Sequence, residues 1–305
     1  MGEQGTDAAA SGPIYIGGAG RSGKTLVRWM LASHSRIAVS RRTAMWTEFY
    51  GRFGDLADPD NLERCLRAML ERRHIAELGT DLEQLRRNLL VGTPTYARLF
   101  TLFHEQYATR AGKARWGDQT GLAEGYAAEI FAQQPQARFL HLIRDPRDVV
   151  GARLERGPRR PGAVGRITGI WRSSAASALR NRRRYTGRYH VIRYEDLVAS
   201  PEATMRGVCA FIGEEFQPAM LQMDDVGRYD AVRAASVGGA PISTEFVGRY
   251  RRLISRADVA LIQSLAEREM ILFDYLVDPI RLSPAERIRY AAGWPLSVAR
   301  MGRSA

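Results

Sequence analysis

Cysteine, lysine and long apolar runs are scarce in this sequence of 305 residues. Its two cysteines, Cys65 and Cys209, lie far apart and belong to no C-x-x-C pair or cysteine–histidine cluster, which argues against a disulfide scaffold and a zinc site. No uncharged run approaches the roughly 18 apolar residues of a membrane-spanning helix. Residues 1–12 lack the apolar stretch of a signal peptide and are expected to form a flexible tail. These features predict a cytoplasmic protein without a transmembrane segment.

Positive charge comes almost wholly from arginine. The 45 Lys+Arg against 33 Asp+Glu give a formal charge of +12, although Lys24 and Lys113 are the only lysines. Eleven arginines lie from Arg153 to Arg188, where the only acid is Glu155. Guanidinium groups match the oxygens of phosphate and sulfate, so the excess fits an anionic ligand, but a solvated surface explains it too. With 45% hydrophobic residues, the chain is not a disordered protein.

Strand and helix patterns alternate along the chain. The β-type runs at 13–16, 138–143 and 189–194 are separated by stretches with helical spacing of apolar residues. Strands spaced by helices are typical of a parallel sheet that binds ligands at the carboxyl ends of its strands. The sequence therefore predicts an α/β protein with three layers, in which a central parallel sheet of about four to five strands is flanked by helices.

We expect residues 13–305 to form one domain with three distinctive regions. These are a helical insertion at about 55–112, a mobile arginine-rich loop at about 155–166 and a C-terminal helical extension at about 283–305. Whether the extension packs on its own chain or on a second copy stays open, so a homo-oligomer is possible. Ser200, which precedes a proline, predicts a helix whose first amides its hydroxyl caps.

A glycine-rich loop gives the strongest functional signal. Residues 18–25 read G-A-G-R-S-G-K-T and match the pattern G-x-x-x-x-G-K-[ST] between a strand and a helix. Such a loop turns its N–H groups around an anion, and the helix N-terminus adds positive charge. The alternative is a plain strand-to-helix turn. The predicted anion-binding residues of the loop are Gly20, Arg21, Ser22, Gly23, Lys24 and Thr25.

The residues after the second strand argue against a magnesium nucleotide. A metal-bound ATP needs an aspartate at the end of an apolar strand. This strand instead ends at Ile143 and is followed by Arg144, with Asp145 one residue later. An arginine at this place suggests a second phosphate, so we expect that no metal is required.

Four segments, in the same order, resemble the PAPS-dependent sulfotransferase family. R-S-G-K-T-L at 21–26 is similar to the family's R-S-G-T-T-L donor loop, and L-I-R-D-P-R-D-V-V at 142–150 is similar to its R-D-P-R-D-V segment. R-Y-E-D-L at 193–197 is similar to a largely structural signature of the family. V-G-R-Y-R at 247–251 resembles the late G-R-W motif.

The resemblance implies a P-loop-like fold related to the nucleotide kinases, with PAPS (3′-phosphoadenosine-5′-phosphosulfate) as donor and PAP as product. It implies that the loop holds the 5′-phosphosulfate, that Arg144 grips the 3′-phosphate, and that the late motif places Arg249 near a donor phosphate. The donor-binding residues that it implies outside the loop are Arg144, Arg193, Gly248, Arg249 and Tyr250.

Sulfuryl transfer by in-line displacement needs stabilisation of the leaving oxygen and a base for the acceptor hydroxyl. Arg21 and Lys24 are placed in the sequence to stabilise the leaving group. The base candidates are Glu48, then Asp118 and His34. Each has a structural alternative, namely a solvated acid, a helix cap and a helix end, respectively.

The chain departs from the family pattern at four places. Lys24 replaces the usual threonine. Ala152 stands where a serine is common, so a hydroxyl contact is missing unless Ser173, Ser174 or Ser177 supplies it. Arg42 aligns with the glutamate that many relatives use as base. W-G-D-Q-T-G at 116–121 corresponds to W-G-[DE]-K-T-P. A degenerate member that binds the donor without transferring sulfate therefore stays open.

The acceptor is expected to be a hydroxyl of a small molecule, sugar or lipid, and the basic charge tolerates an anionic one without selecting it. Aromatic residues from Trp46 to Phe53 either line its pocket or belong to the core. Two other functions stay open. Lys24 favours a P-loop small-molecule kinase using ATP and magnesium, and the arginine block favours a nucleic-acid-binding protein, although neither the loop nor the strand ends call for nucleic acid.

Overall fold

Five parallel strands form the centre of the molecule. The computed structural model describes residues 12–223 and 242–301, so the expected tail lies outside it except for Gly12. The strands are β1 (Ile14–Gly17), β2 (Ile37–Arg41), β3 (Arg115–Gln119), β4 (Arg138–Ile143) and β5 (Tyr189–Arg193). Their order in the sheet is β2-β3-β1-β4-β5. Strands β3 and β4 lie on opposite sides of β1, so the strand order switches there. Sheets of this type bind their ligands at such a switch point.

Helices cover both faces of the sheet. Up to β4 these are α1 (Lys24–Ala32), α2 (Met45–Glu48), α3 (Pro59–Leu70), α4 (Arg73–Ala76), α5 (Leu82–Leu90), α6 (Tyr96–Arg110) and α7 (Ala127–Gln133). After β4 they are α8 (Pro146–Leu154), α9 (Ala163–Arg184), α10 (Tyr194–Ala199), α11 (Pro201–Ile212), α12 (Ala219–Gln222), α13 (Tyr250–Leu253), α14 (Arg256–Leu272) and α15 (Pro284–Met301). Single 3-10 turns lie at Ala123–Tyr126 and Thr244–Phe246.

Alternation along β1 divides the core between the two faces. Ile14 and Ile16 pack on one side with α1, α10 and α11, whereas Tyr15 packs on the other with Trp46 and Phe139. Successive side chains of a strand point to opposite faces, so one short strand anchors both layers. Helices α3 to α6, which lie between β2 and β3 in the sequence, pack into the second of these layers. They occupy the region expected as a helical insertion. The predicted three-layer α/β fold is confirmed.

A third group of apolar residues fixes the carboxyl end of β4. It includes Val150 of α8, Ile262 of α14 and Trp171 of α9, which is 1% exposed. The indole Nε1 of Trp171 donates to the carbonyl oxygen of Arg144 at 2.8 Å. The residue that follows β4 is therefore held by the core itself.

Helix α11 differs from the prediction at its start and ends at a glycine. Gly213, with φ 76°, terminates it in the left-handed conformation that glycine adopts readily. The prediction that the Ser200 hydroxyl caps α11 is wrong, because this residue ends α10 and starts α11 at once and its side chain makes no capping hydrogen bond. Its amide instead donates to the carbonyl oxygen of Asp196 at 2.9 Å.

The C-terminal helix α15 packs against α9 and α14 of the same chain. The Tyr290 hydroxyl lies 3.1 Å from the Ser264 hydroxyl. Among the described residues, no helix combines the length and apolarity that crossing a bilayer requires. The arginine-rich connection between α8 and α9 contains Arg159, which donates to the Leu253 carbonyl at 2.9 Å. Its mobility stays a prediction.

Candidate functional site

The glycine-rich loop joins β1 to α1 through three residues in the left-handed region. Gly18, Arg21 and Gly23 have φ values of 117°, 72° and 98°. A Cβ on Gly18 would lie 2.2 Å from the carbonyl oxygen of Leu142, so only glycine fits there. Left-handed residues in such a loop turn successive N–H groups toward one point. Arg21 adopts this conformation without the freedom of glycine, a strain that is common at functional sites.

The start of α1 is arranged for an anion. Its N-cap residue, Gly23, provides no side chain, and the first turn contains no acid. No side chain therefore caps the first-turn amides, and no acid offsets the positive end of the helix dipole. Ser22 is buried and its hydroxyl donates to the Ala19 carbonyl at 2.8 Å, which stabilises the turn. A Cβ on Gly20 would meet no described atom within 4 Å.

Tyr194 connects the loop to the end of β4. A Cβ on Gly23 would lie 2.5 Å from Cδ2 of Tyr194, so the ring packs directly on this glycine. The Arg144 guanidinium lies over the same ring, 4.4 Å from its centroid. The R-Y-E-D-L segment therefore supplies the surface on which the loop and Arg144 meet.

Arg144 is buried beside the loop. Its Nη1 donates to the Arg21 carbonyl at 3.3 Å and its Nη2 donates to the Phe246 carbonyl. Nη2 also lies 3.7 Å from a carboxylate oxygen of Asp148. Its Nε is buried and has no hydrogen-bond partner among the described residues. A buried, unused guanidinium donor is a group that a bound anion would satisfy.

Asp148 fastens the late motif to α8. Its two carboxylate oxygens accept the backbone N–H groups of Gly248 and Tyr250, each at 2.8 Å. Burial raises the pKa of Asp148, while Arg144 opposes the shift. The segment 247–251 is consequently bound to the helix that follows Arg144.

The side chains of Arg249 and Tyr250, in the late motif, contact residues outside the glycine-rich loop. Arg249 forms a salt bridge with Glu155 at 2.7 Å. The Tyr250 hydroxyl donates to Asp278 at 2.9 Å, and the Arg147 guanidinium lies 4.6 Å from the Tyr250 ring centroid. The structure therefore brings the backbone of 248–250 to the site, and it places the two side chains in contacts outside the loop.

The third segment braces the end of β4. Arg193 lies over the Tyr275 ring at 4.9 Å rather than against the loop. Glu195 accepts the Asp145 amide at 3.0 Å and the Tyr275 hydroxyl at 3.0 Å, and burial raises its pKa. These contacts give Arg193 and Glu195 a supporting position.

Lys24 lies inside the loop. Its Nζ donates to the carbonyl oxygens of Gly18 and Ala19 at 2.6 and 2.5 Å. Burial lowers the pKa of Lys24 to about 8; Glu124 opposes this shift, and Arg42 and Arg21 add to it. The lysine that distinguishes this loop from the family pattern is thus a buried cation at the site.

Glu124 is the site residue that the sequence analysis missed. This buried acid of the 3-10 turn accepts the Gly18 amide at 3.0 Å and the hydroxyl of Ser174. Ser174 is one of the serines near Ala152, and it contacts Glu124 rather than Arg144. Nothing in the local sequence marks Glu124, because only the packing of the turn brings it beneath the loop.

Glu48 lies at the surface, and His34 lies beyond the end of α1 that is far from the glycine-rich loop. Glu48 ends α2, and its side chain is 43% exposed and paired with Arg72 at 2.8 Å. His34 follows the far end of α1, about 15 Å along the helix from Lys24. Its Nε2 donates to the Glu215 carbonyl at 3.0 Å, its Nδ1 accepts the Arg36 amide, and burial lowers its pKa. The structure does not bring His34 to the loop.

Asp118 joins the ends of β2 and β3. Its oxygens accept hydroxyl hydrogen bonds from Ser40 at 3.0 Å, Thr43 at 2.9 Å and Thr120 at 2.9 Å. Although burial opposes ionisation, His104 and the hydroxyls of Thr120 and Thr43 hold the pKa of Asp118 below its usual range. Both of its oxygens are already engaged, which fits a positioning role.

Arg42 borders the site at the carboxyl end of β2. It is exposed, has φ 45°, and its amide donates to the Gln119 carbonyl at 2.9 Å. Of the nearby aromatic residues, Trp46 belongs to the core, since it is 1% exposed and donates to the Tyr15 hydroxyl at 3.0 Å. Phe49 is likewise buried.

The model of the sulfotransferase family matches residues 13–218 of this chain. The chain belongs to the sulfotransferase family. This confirms the resemblance indicated by the four segments, and it makes the protein a transferase. The match ends before the late motif at 247–251.

Solved sulfotransferase structures share the fold. The sulfotransferase domain of the Synechococcus PCC 7002 olefin synthase is 20% identical with a TM-score of 0.59, over 88% of this chain and 96% of that one. The sulfotransferase domain from the curacin biosynthetic pathway is 19% identical with a TM-score of 0.58, over 88% and 99%. No curated protein sequence matches significantly. Neither comparison supports the kinase or the nucleic-acid-binding alternative.

The carboxylates of this sulfotransferase are not gathered as metal ligands within the described residues. No group of three or more His, Cys, Asp or Glu side chains is arranged there to hold an ion. That the reaction requires no metal stays a prediction from the sequence.

Proposed function

We propose that the protein transfers a sulfuryl group from PAPS to an acceptor hydroxyl and releases PAP. The observation that carries this proposal is the direct hydrogen bond between Arg144 and the Arg21 carbonyl, which joins two anion-binding elements. One element is the loop with the uncapped start of α1, and the other is a guanidinium with a buried, unused Nε. PAPS carries anionic groups at both the 5′ and 3′ positions, so adjacent sites of this kind suit it.

Different residues would bind different parts of the donor. When bound, PAPS supplies the sulfuryl group and a phosphate leaving group. The amides of residues 19–24 would hold the 5′-phosphosulfate, and Arg144 would hold the 3′-phosphate. The backbone of 248–250, fixed by Asp148, would close this end of the site.

Arg21 and Lys24 would stabilise the charge that develops on the leaving oxygen. A well-aimed donor in such a site is worth about 3 kcal/mol in the transition state. Lys24 supplies charge only while it is protonated, and its pKa of about 8 places this limit close to neutral pH.

We propose Glu48 as the general base. Its helix packs against the 3-10 turn that carries Glu124, and its carboxylate is partly exposed. Asp118 is the less favourable candidate, since both of its oxygens accept hydroxyls, and His34 lies away from the loop.

For the acceptor we propose a hydroxyl compound that carries an anionic group. The support is Arg42, an exposed residue whose backbone is in the left-handed region and whose charge acts on Lys24. A carboxylate or phosphate on the acceptor would pair with it. We also propose a cytoplasmic location, because Cys65 and Cys209 are buried free thiols in separate parts of the core.

Two isomeric nucleotides test the donor site. PAP and 5′-ADP have the same composition, but only PAP carries a 3′-phosphate, so calorimetric titration should show tighter binding of PAP. Arg144→Ala should weaken PAP by about 10- to 100-fold, the value of a charged hydrogen bond, and should leave AMP unaffected. Arg153→Ala, at an exposed position of α8, is the control. Equal binding of PAP and 5′-ADP would refute the proposal.

Matched acceptors test the role of Arg42. Transfer of radiolabelled sulfate from PAPS would be measured on neutral and carboxylate-bearing pairs, such as glucose and glucuronate. Arg42→Ala should lower kcat/KM about tenfold for the anionic member alone, while Arg52→Ala, an exposed neighbour, should change neither. An equal loss on both members would argue against an anionic acceptor.

A further inference from the structure

Glu124 lies beneath the first residues of the donor loop and belongs to none of the four family segments. It is 2% exposed, and a Cβ on Gly17 would lie 2.8 Å from its Oε2. Oε2 accepts the Gly18 amide at 3.0 Å. An acid under an anion-binding loop opposes the binding of anions unless it neutralises a cation there, so its presence calls for an explanation.

A chain of buried hydrogen bonds leads to this carboxylate. The Tyr189 hydroxyl lies 2.6 Å from Nδ1 of His141. His141 Nε2 lies 3.2 Å from the Ser174 hydroxyl, which in turn donates to Oε1 of Glu124. With Tyr189 as the first donor, His141 carries its proton on Nε2, and every donor in the chain points toward Glu124. Burial lowers the pKa of His141, which agrees with a neutral ring.

Gly18 links this carboxylate to Lys24. Its N–H donates to Glu124, and its carbonyl oxygen accepts the Lys24 ammonium. The charged groups that act on Lys24 are Glu124 from the 3-10 turn, Arg42 after β2 and Arg21 in the loop, while His141 faces it from β4. Glu124 is the acid among them.

We propose that Glu124 is a positioning residue of the donor loop, which fixes the Gly18 amide and keeps Lys24 in place as a buried cation. That this cation serves the donor rests on the proposed function. The Glu124 carboxylate contacts the Gly18 amide and the Ser174 hydroxyl, and its effect on the donor would pass through Lys24. The lysine and the acid form one unit that replaces the usual threonine of the loop.

The scarcity of lysine allows a direct test. In protein labelled with ¹³C at the lysine side chains, Lys24 and Lys113 are the only signals, and Lys113→Arg assigns them. We expect Glu124→Gln to lower the midpoint of the Lys24 titration by about one pH unit, the size expected for loss of a nearby opposite charge. Glu124→Asp, which keeps the charge, should restore most of the shift. Glu267→Gln, an exposed acid of α14, should leave the midpoint unchanged.

The titration uses the protein without nucleotide, so it stands even if PAP does not bind. An unchanged Lys24 midpoint in folded Glu124→Gln would overturn the inference. If Glu124→Gln shows the expected shift of the Lys24 midpoint but the wild type does not bind PAP, the proposed function alone is overturned.

A second variant covers the case in which Glu124→Gln does not fold. Lys24→Thr combined with Glu124→Gln removes both charges, so it should be more stable than Glu124→Gln alone in thermal unfolding. A double variant that is no more stable, or that stays unfolded, would show that the two residues are not coupled and would overturn the pairing.

Discussion

A single lysine changes how the loop of this sulfotransferase is built. The family usually has threonine at this position, and the ammonium of Lys24 instead turns inward to two carbonyl oxygens of its own loop. The resemblance of the loop to that of the kinases thus comes from a residue that is engaged inside the loop.

This lysine predicts how the affinity for PAP, the product of the proposed reaction, depends on pH. Burial lowers the pKa of Lys24 to about 8, so its charge is present below that pH and is lost as the pH rises through it. PAP affinity measured by calorimetry should therefore fall between about pH 7 and 9. In Lys24→Thr this fall should disappear. The same alkaline loss in both proteins would assign it to another group.

The assignment of Glu48 as base predicts a loss of turnover. Glu48→Gln should lower kcat by about a hundredfold or more, because base catalysis contributes on this scale, and should leave PAP affinity unchanged. Glu71→Gln, an exposed acid just after α3, is the control. A kcat within twofold of the wild type would remove Glu48 from the mechanism.

Residue types in the sequence pointed to the glycine-rich loop and to Arg144, but not to the buried groups that contact the loop from other elements. Glycines and cations at fixed spacing mark an anion site, since the chemistry depends on local backbone geometry. Glu124 and His141 contribute through contacts between distant parts of the chain, which no local pattern encodes. His141 lies between two leucines of β4, and its hydrogen bonds make it part of a polar chain.

Helix α8 organises the site at the level of elements. Asp145 caps it through the Arg147 amide at 2.8 Å, and Asp148 in its first turn holds the late motif. Arg144 precedes it directly. One helix start therefore carries Arg144, the arginine that we propose for the 3′-phosphate, and the anchor of a segment about a hundred residues away.

Removing this anchor should loosen the late motif. Asp148→Ala leaves the amides of Gly248 and Tyr250 without their acceptor, at a cost of about 1–3 kcal/mol for each buried group. Hydrogen exchange should increase at residues 248–253, and PAP affinity should fall about tenfold. The neighbouring Arg153→Ala should do neither. Unchanged exchange in Asp148→Ala would show that the segment is held by other contacts.

Elements were predictable where their signals are local. The strand at 138–143 agrees with the prediction from the sequence. The failed cap at Ser200 arises because α10 runs directly into α11, and a pattern of a few residues does not show the preceding helix.

The whole molecule was predicted at the level of layers, because alternating strands and helices restrict the possible architectures. The sheet order and the third apolar group around Trp171 depend on packing over long sequence separations. At the surface, arginines pair with acids from other elements, as Arg86 does with Glu63 at 2.8 Å.

Ligand binding should stabilise the molecule as a unit. PAP at about one hundred times its Kd adds about 2.7 kcal/mol to the free energy of unfolding, which should raise Tm by about 5 °C. The same concentration of 5′-ADP should raise it by less than about 2 °C. Scanning calorimetry measures both. A larger shift with ATP and magnesium than with PAP would favour the kinase alternative.

The candidate donor site is assembled from distant parts of the chain, namely the glycine-rich loop, Arg144, Tyr194 and Phe246. It does not exist on the ribosome until residue 246 has been made. A donor nucleotide that binds there, as we propose, therefore cannot rescue a translation product that ends before this residue, and quality control must recognise such fragments while they lack any ligand.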